Sequence, residues 1–225
     1  ETAGPSEVIA IRVNPATQAA GVIKSGATDV IDLVSVLYGV GANQIKHKVE
    51  AGSLSGKRVT VQLGTDYFTQ DNIAREAFSV QYTGAEATAT ITVAGATVTL
   101  FAPAATQVAQ IDLTQFATVQ DLVDRIALVP DFTAQVLGDN YVAPALNGLD
   151  YVNAADVKTV AYTVRADLQA IVDWLNSARQ GYVKATRKTG VGQVPTVAPF
   201  AFLSGGSDGS TTFTDWADAF EALQT

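Results

Sequence analysis

Alternation of apolar and polar side chains dominates the chain. Val8-Ile9-Ala10-Ile11-Arg12-Val13 puts Ile9, Ile11 and Val13 on one side and stops at Asn14-Pro15, which predicts a strand followed by a turn. A short strand is expected around Asp29 to Leu33. From Asn43 to Glu50, Ile45, His47 and Val49 share one face while Lys46, Lys48 and Glu50 share the other. Beyond a turn over Gly52 to Gly56, Arg58, Thr60 and Gln62 alternate with Val59, Val61 and Leu63, a half-buried strand suited to antiparallel pairing with the one before it. Phe78, Val80 and Tyr82 line a further strand. The clearest hairpin sets Thr88, Thr90 and Thr92 against Ala89, Ile91 and Val93, turns at Ala94-Gly95 and continues with Thr97 and Thr99 against Val98 and Leu100. Its threonine face is expected to be exposed.

Helical period takes over at Val119, Leu122, Val123 and Ile126, spaced i, i+3, i+4 and i+7, with Thr118 and Asp121 in a capping arrangement and Pro130 limiting the helix to about 118–128. A short strand from Phe132 to Leu137 and a loop containing Gly138-Asp139-Asn140, Pro144 and Asn147-Gly148 follow. The longest helix should begin near Asn153 or after Thr163, the latter placing it near 163–179. It should bury Val164, Leu168, Ile171, Val172 and Leu175, with Arg179 in its last turn and Gly181 just beyond. Tyr182 to Arg187 reads as a returning strand. Gly190, Gly192, Pro195 and Pro199 then lead in extended form to the glycine-rich "PFAFLSGGSDGST" (Pro199 to Thr211), and Trp216, Phe220 and Leu223 mark a terminal helix. The predicted fold is α+β: a mostly antiparallel β-sheet domain, sandwich or barrel-like, with two or three packed helices.

Composition sharpens this picture. A chain of 225 residues with 48% apolar and only 16% charged side chains can bury a sizeable core. Fourteen basic against 22 acidic side chains give a formal charge of −8, so phosphate backbones and anionic lipids repel the chain; no nucleic acid and no membrane partner is expected. No apolar run approaches the ~20 residues that span a bilayer, and the N-terminus lacks the order of a signal peptide, so the chain reads as soluble. There is no cysteine and a single histidine, which excludes thiolate chemistry and metal sites built on several imidazoles. The chain starts Glu1-Thr2-Ala3 and contains no methionine, so it is expected to be part of something longer.

Each candidate for chemistry has a plainer reading. Gly205-Gly206-Ser207-Asp208-Gly209 before a helix resembles an anion-binding loop, but it has no lysine, does not fit G-x-G-x-x-G and carries Asp208, which repels phosphate. It reads as a turn whose glycines supply positive φ or close backbone contact. One acidic residue there is too few for calcium. His47, on the apolar face of its strand, is expected to be a hydrogen-bonded core histidine; a general base is the alternative, as a hydrolase would need, but no nucleophile signature accompanies it. Asp121 with Asp124 and Asp215 with Asp218 read as solvated helix faces and first-turn charges. Lys184, Arg187 and Lys188 form a small basic cluster expected to make intermolecular ion pairs. Tyr67, Phe68, Tyr141 and Tyr151 lie in or beside turns, where they could stack on a carbohydrate or pack at strand ends. No catalytic residue, cofactor or metal site is identified.

"IRVNPATQAA" (Ile11 to Ala20), "DVIDLVSVLYGVGANQIKHKVEAG" (Asp29 to Gly52) and "FLSGGSDGS" (Phe202 to Ser210) resemble tail sheath proteins of contractile-tailed phages, especially the Mu-like kind. Asn43, Ile45, His47 and Val49 match the family's N-x-I-x-V-x-V strand, and Leu203, Gly205, Gly206, Asp208 and Gly209 match its L-x-G-G-x-D-G turn; Gly41-Ala42 stands where many members have tryptophan and glycine. The resemblance implies a non-enzymatic structural component of the virion tail, made in the host cytoplasm. It implies a subunit that stacks with other sheath subunits in rings around an inner tail tube and rearranges on contraction to drive genome delivery. It assigns 1–24 to a strand and linker from a missing core, 25–194 to an outward-facing β-rich domain, and 195–225 to a junction and the first helix of that core. The isolated chain is then expected to be monomeric. The rival reading is a carbohydrate-binding or adhesive module on the tail surface.

Overall fold

The computed structural model describes residues 13–146, 148–177, 181–188 and 192–222. Most of the predicted first strand, Ile9 and Ile11 included, lies outside these residues, as do Arg179, Gly190 and Leu223. The chain runs through β1 (Gln18–Ser25), β2 (Thr28–Tyr38), β3 (Lys46–Ala51), β4 (Lys57–Leu63) and β5 (Asp66–Ile73). It continues with β6 (Glu76–Tyr82), β7 (Thr90–Ala94), β8 (Thr97–Phe101), β9 (Gln107–Asp112), α1 (Val119–Ala127), β10 (Phe132–Val136), β11 (Val152–Asp156) and β12 (Tyr162–Arg165). It ends with α2 (Asp167–Leu175), β13 (Val183–Arg187), β14 (Ala198–Phe202) and α3 (Phe213–Ala222). This is an α+β fold of antiparallel sheets, and none of the described sheets closes into a barrel.

The strands form four sheets around two separate hydrophobic cores. Sheets β1-β2-β13 and β14-β3-β4-β5, with α2, enclose the first core, which includes Ile31, Leu33, Ile45, Val59, Leu168, Ile171, Leu175 and Leu203. Sheets β10-β6-β12 and β11-β7-β8-β9, with α1, enclose the second, around Phe78, Ile91, Leu100, Leu122, Ile126 and Val164. The second unit is therefore an excursion from the first: the chain leaves between Ile73 and Ala77 and returns between Ala166 and Leu168. The two crossings are tied together, Ala166 N–H donating to Arg75 O at 2.8 Å and Arg75 N–H to Asp167 Oδ1 at 2.7 Å.

Local signals explain the elements that form where the pattern places them. In the β3–β4 hairpin His47 pairs with Val61 and Val49 with Val59, so Ile45, His47 and Val49 all point inward, as their alternation predicts. Helix α1 starts at a full capping box: Thr118 Oγ1 accepts from Asp121 N–H, and the Asp121 carboxylate accepts from Thr118 N–H. Its four apolar positions, Val119, Leu122, Val123 and Ile126, are buried.

Four expectations change. The alternative helix start near Asn153 gives way to β11, because Val152 to Asp156 fills the free edge of β7 while the Asp156 carboxylate turns the chain by accepting from Lys158 and Thr159 N–H. Val164, expected on the helix, closes β12 against Phe78. The threonine face is exposed only at Thr88: Thr90, Thr92 and Thr97 are half-buried and Thr99 is buried, as β7 and β8 are the inner strands of their sheet. In the basic cluster, Lys188 pairs with Asp32 at 3.0 Å and Arg187 donates to Leu149 O at 2.6 Å, both within the chain.

Phe78 has no exposed surface at the centre of the second core. Phe78→Ala is expected to lower the stability of the chain by about 3–5 kcal/mol, read from the midpoint of urea unfolding followed by circular dichroism.

Candidate functional site

Three stretches distant in sequence, 14–20, 39–43 and 203–209, meet at the edge of the first core. Leu203 opens the turn with its N–H on Ile45 O at 2.8 Å and its side chain buried in the core. Ser204 and Ala20 exchange backbone bonds at 2.9 and 2.7 Å, extending the outer edge of β1. Asn43, held at the end of the 3-10 turn Val40–Gln44, then bonds Gly206 twice: its Nδ2 donates to Gly206 O at 2.9 Å and its Oδ1 accepts Gly206 N–H at 2.8 Å. A primary amide offers one donor side and one acceptor side, so this single side chain replaces the strand neighbour that Gly206 lacks.

Thr17 closes the other side. Its N–H donates to Ser207 O at 2.8 Å, its Oγ1 accepts Ser207 N–H at 3.0 Å, and its C=O accepts Gly39 N–H at 3.0 Å. The Asp208 carboxylate accepts Val40 N–H at 2.8 Å. The predicted site residues Asn43, Leu203, Gly205, Gly206, Asp208 and Gly209 are thus brought together, along with Thr17 and Gly39, which sequence reading missed. Thr17 carries no local signal; Gly39 sits at φ +93 with a would-be Cβ 2.4 Å from Asp208 Oδ1, a packing that only the folded chain reveals. Gly206 is required by close approach, since a Cβ there would lie 2.6 Å from Gly39 O, and Gly209 by its φ of +68 together with contacts of about 3 Å to Pro15 and Ala16.

The polar groups of this junction bond chiefly to one another. The amides of Ser204, Gly206 and Ser207, which an anion would need, already have partners within the chain. Among the described residues no group of three or more His, Asp or Glu side chains could hold a metal ion, and no helix is long and apolar enough to cross a membrane. His47 is buried under Gly21; burial pushes its imidazole below the ordinary value, opposed by a bond with the Val22 backbone, and its Nδ1 has no hydrogen-bond partner. The aromatics considered for carbohydrate stacking are exposed and divided between the two units: Tyr67 and Phe68 are consecutive on β5 of the first, whereas Tyr141 and Tyr151 belong to the second. A cleft of about 770 Å³ beside Arg75 and Asn140 is lined by none of them. Phe68 instead packs edge-on against Tyr182, ring centres 5.6 Å apart.

Comparison with known proteins gives the junction its context. No family model matches the chain. A tail sheath protein of Enterococcus phage phiEF24C is 32% identical over 99% of the chain, and a tail sheath protein of Bacillus phage SP01 is 27% identical over 96%. The chain is a relative of phage tail sheath proteins. It spans about two fifths of their length, 40% of the first and 38% of the second. Because the likeness to these sheath proteins runs through nearly all of the chain, it takes in both units and all three segments of the junction.

Gly206→Val forces the turn away from Gly39 O and Asn43, and is expected to leave the chain largely unfolded or aggregated on expression. Asp208→Ala removes one exposed bond to Val40 and should cost only about 0.5–1.5 kcal/mol in thermal or urea unfolding. Equal losses for the two variants would contradict the close-packing account of the turn.

Proposed function

We propose that this chain is part of a phage tail sheath subunit and serves as a non-enzymatic structural component of the virion tail. The observation that carries this reading is the sequence likeness to two tail sheath proteins along almost the entire chain. In the whole protein, subunits stack in rings around the inner tail tube, and contraction repacks their contacts to drive genome delivery, a rigid-body form of switching. The partners are other sheath subunits and the tube. Residues 25–194 supply the outward-facing part, and the junction of Asn43 with Leu203 to Gly209 is where the chain passes back toward the subunit's core.

The distribution of exposed apolar groups supports this arrangement. Phe200 and Phe202 on β14 and Phe213, Trp216 and Phe220 on α3 all lie on the surface, so the region beyond residue 197 presents an apolar face of the kind that contacts between protein bodies use. Lys46 and Lys48 lie over the Phe200 ring at 4.7 and 5.0 Å.

Antibodies raised against this chain and visualised with gold by electron microscopy are expected to decorate phage tails along their length. Labelling confined to the capsid or the tail tip would overturn the assignment. In sedimentation at micromolar concentration the isolated chain is expected to run as a monomer; a stable hexamer or filament would show that these residues alone suffice for ring contacts.

A further inference from the structure

Polar contacts join the two units at and beside the crossings. The extensive contacts between elements stay within one core or the other among the described residues. Beyond the two crossings, a group of contacts between the units lies around Asp150, in the loop before β11. Its carboxylate accepts Asp167 N–H at 2.7 Å and Leu168 N–H at 3.0 Å, the first amides of α2, which packs in the first core. Helix α2 has no side-chain cap of its own, because Ala166 stands at its N-cap, so a carboxylate from the second unit satisfies the helix end of the first. Nearby, Arg187 Nη2 donates to Leu149 O and Tyr151 N–H to Gly192 O at 2.9 Å. At the crossings the units leave an open cleft of about 770 Å³, lined by Arg75, Asn140, Val142 and Pro144 and by Gln169 and Asp173 of α2.

We propose that the second unit swings on the first about the paired crossings at Ala74–Glu76 and Ala166–Asp167, and that the Asp150 carboxyl is the latch that holds the closed position. Polar contacts and an adjoining cleft permit such a motion, whereas an interdigitated apolar interface would not. Opening strips the cap from α2 and returns Asp150 to water. The charged groups around Asp150 are Asp167 on α2, Arg165 on β12 and Arg187 on β13. Burial, with a smaller push from Asp167, raises the Asp150 carboxyl to about 6 against the pull of the two amides and Arg187. In the open position it reverts toward the ordinary value of 3.8. The closed position therefore binds the proton more tightly: closing strengthens as pH falls from neutrality toward 5 and weakens as pH rises through about 6. This inference is independent of the tail assignment.

The chain has no cysteine, so two can be introduced at will. Spin labels at Leu54→Cys in the first unit and Leu128→Cys in the second, both strongly exposed, report the separation of the units by pulsed electron resonance. The otherwise unaltered chain is expected to give one narrow distance distribution near pH 5 and an added longer component near pH 7.5. Asp150→Asn, which cannot ionise and keeps one of the two acceptors, should give a distribution that does not change with pH, and Asp150→Ala should show the longer component at both. Amide exchange of Asp167 and Leu168 in Asp150→Ala should rise roughly tenfold, as for loss of a helix cap. A distribution in the parent chain that does not change with pH overturns the latch, as does faster exchange without any change in distance, which reduces Asp150 to a helix cap. If Asp150→Ala does not fold, the pH comparison between the parent chain and Asp150→Asn decides alone.

Discussion

The pair of bonds between the Asn43 amide and the Gly206 backbone is the constraint on which the rest of the chain depends. The residues are 163 apart in sequence, and the segment between them takes in most of the first unit and the whole of the second. Closing so long a loop is entropically costly, and two bonds at an edge do not offset that alone. They act with Leu203 in the core, with the Ala20–Ser204 exchange and with the Thr17 bonds, so that β1, the 3-10 turn and the glycine-rich turn form one surface. Gly206 has to be a glycine because the amide can reach its backbone only if nothing fills the space between Gly39 O and Ala19.

The second constraint is how a unit with its own core is inserted without weakening the first. Each unit buries its apolar side chains among themselves, so the junction carries little of the hydrophobic stabilisation. It is instead a problem of polar satisfaction. Asp167 is held from two sides, by Arg75 N–H and by Arg165 Nε at 3.0 Å, and Asp150 gives α2 the cap that Ala166 lacks. Burying the Asp150 carboxylate costs free energy, and the same two amide bonds recover part of it. The interface is thereby specific in geometry while remaining modest in strength.

Elements whose signal is local were legible in the sequence. The β3–β4 and β7–β8 hairpins, the Thr118 capping box and the inward face of His47 follow from spacing within a dozen residues, and the antiparallel α+β class follows from them. Strands β1, β5, β9 and β14 were not legible, for a common reason. "QAAGVIKS" is interrupted by glycine, "DYFTQDNI" is largely polar, "QVAQID" is an edge strand and "APFAF" is exposed throughout, so each exists because a distant partner supplies hydrogen bonds rather than because its pattern demands a strand. The division into two cores was equally hidden. Ile73-Ala74-Arg75-Glu76 crosses between them with no glycine, proline or change of composition to mark a boundary. In the candidate site, the glycines and Asp208 announced a special turn, and Asn43 was singled out, but Thr17 and Gly39 become meaningful only when three remote segments meet.

This arrangement bears on how a protein of the proposed kind could change its packing. Apolar cores are close-packed and do not deform gradually, so large rearrangements have to fall between rigid bodies rather than through them. A boundary made of hydrogen bonds is the place where separation costs least, because water replaces each lost partner once the groups are exposed. Here that boundary lies between the two units, at Asp150, Asp167 and Arg187, and not at the glycine-rich turn. The turn looks flexible in sequence, but Gly206 and Gly209 serve close contact, and the amides of Ser204, Gly206 and Ser207 and the Asp208 carboxylate are bonded to residues 17–43. Freedom of movement therefore belongs to the crossing without glycines, and rigidity to the segment rich in them.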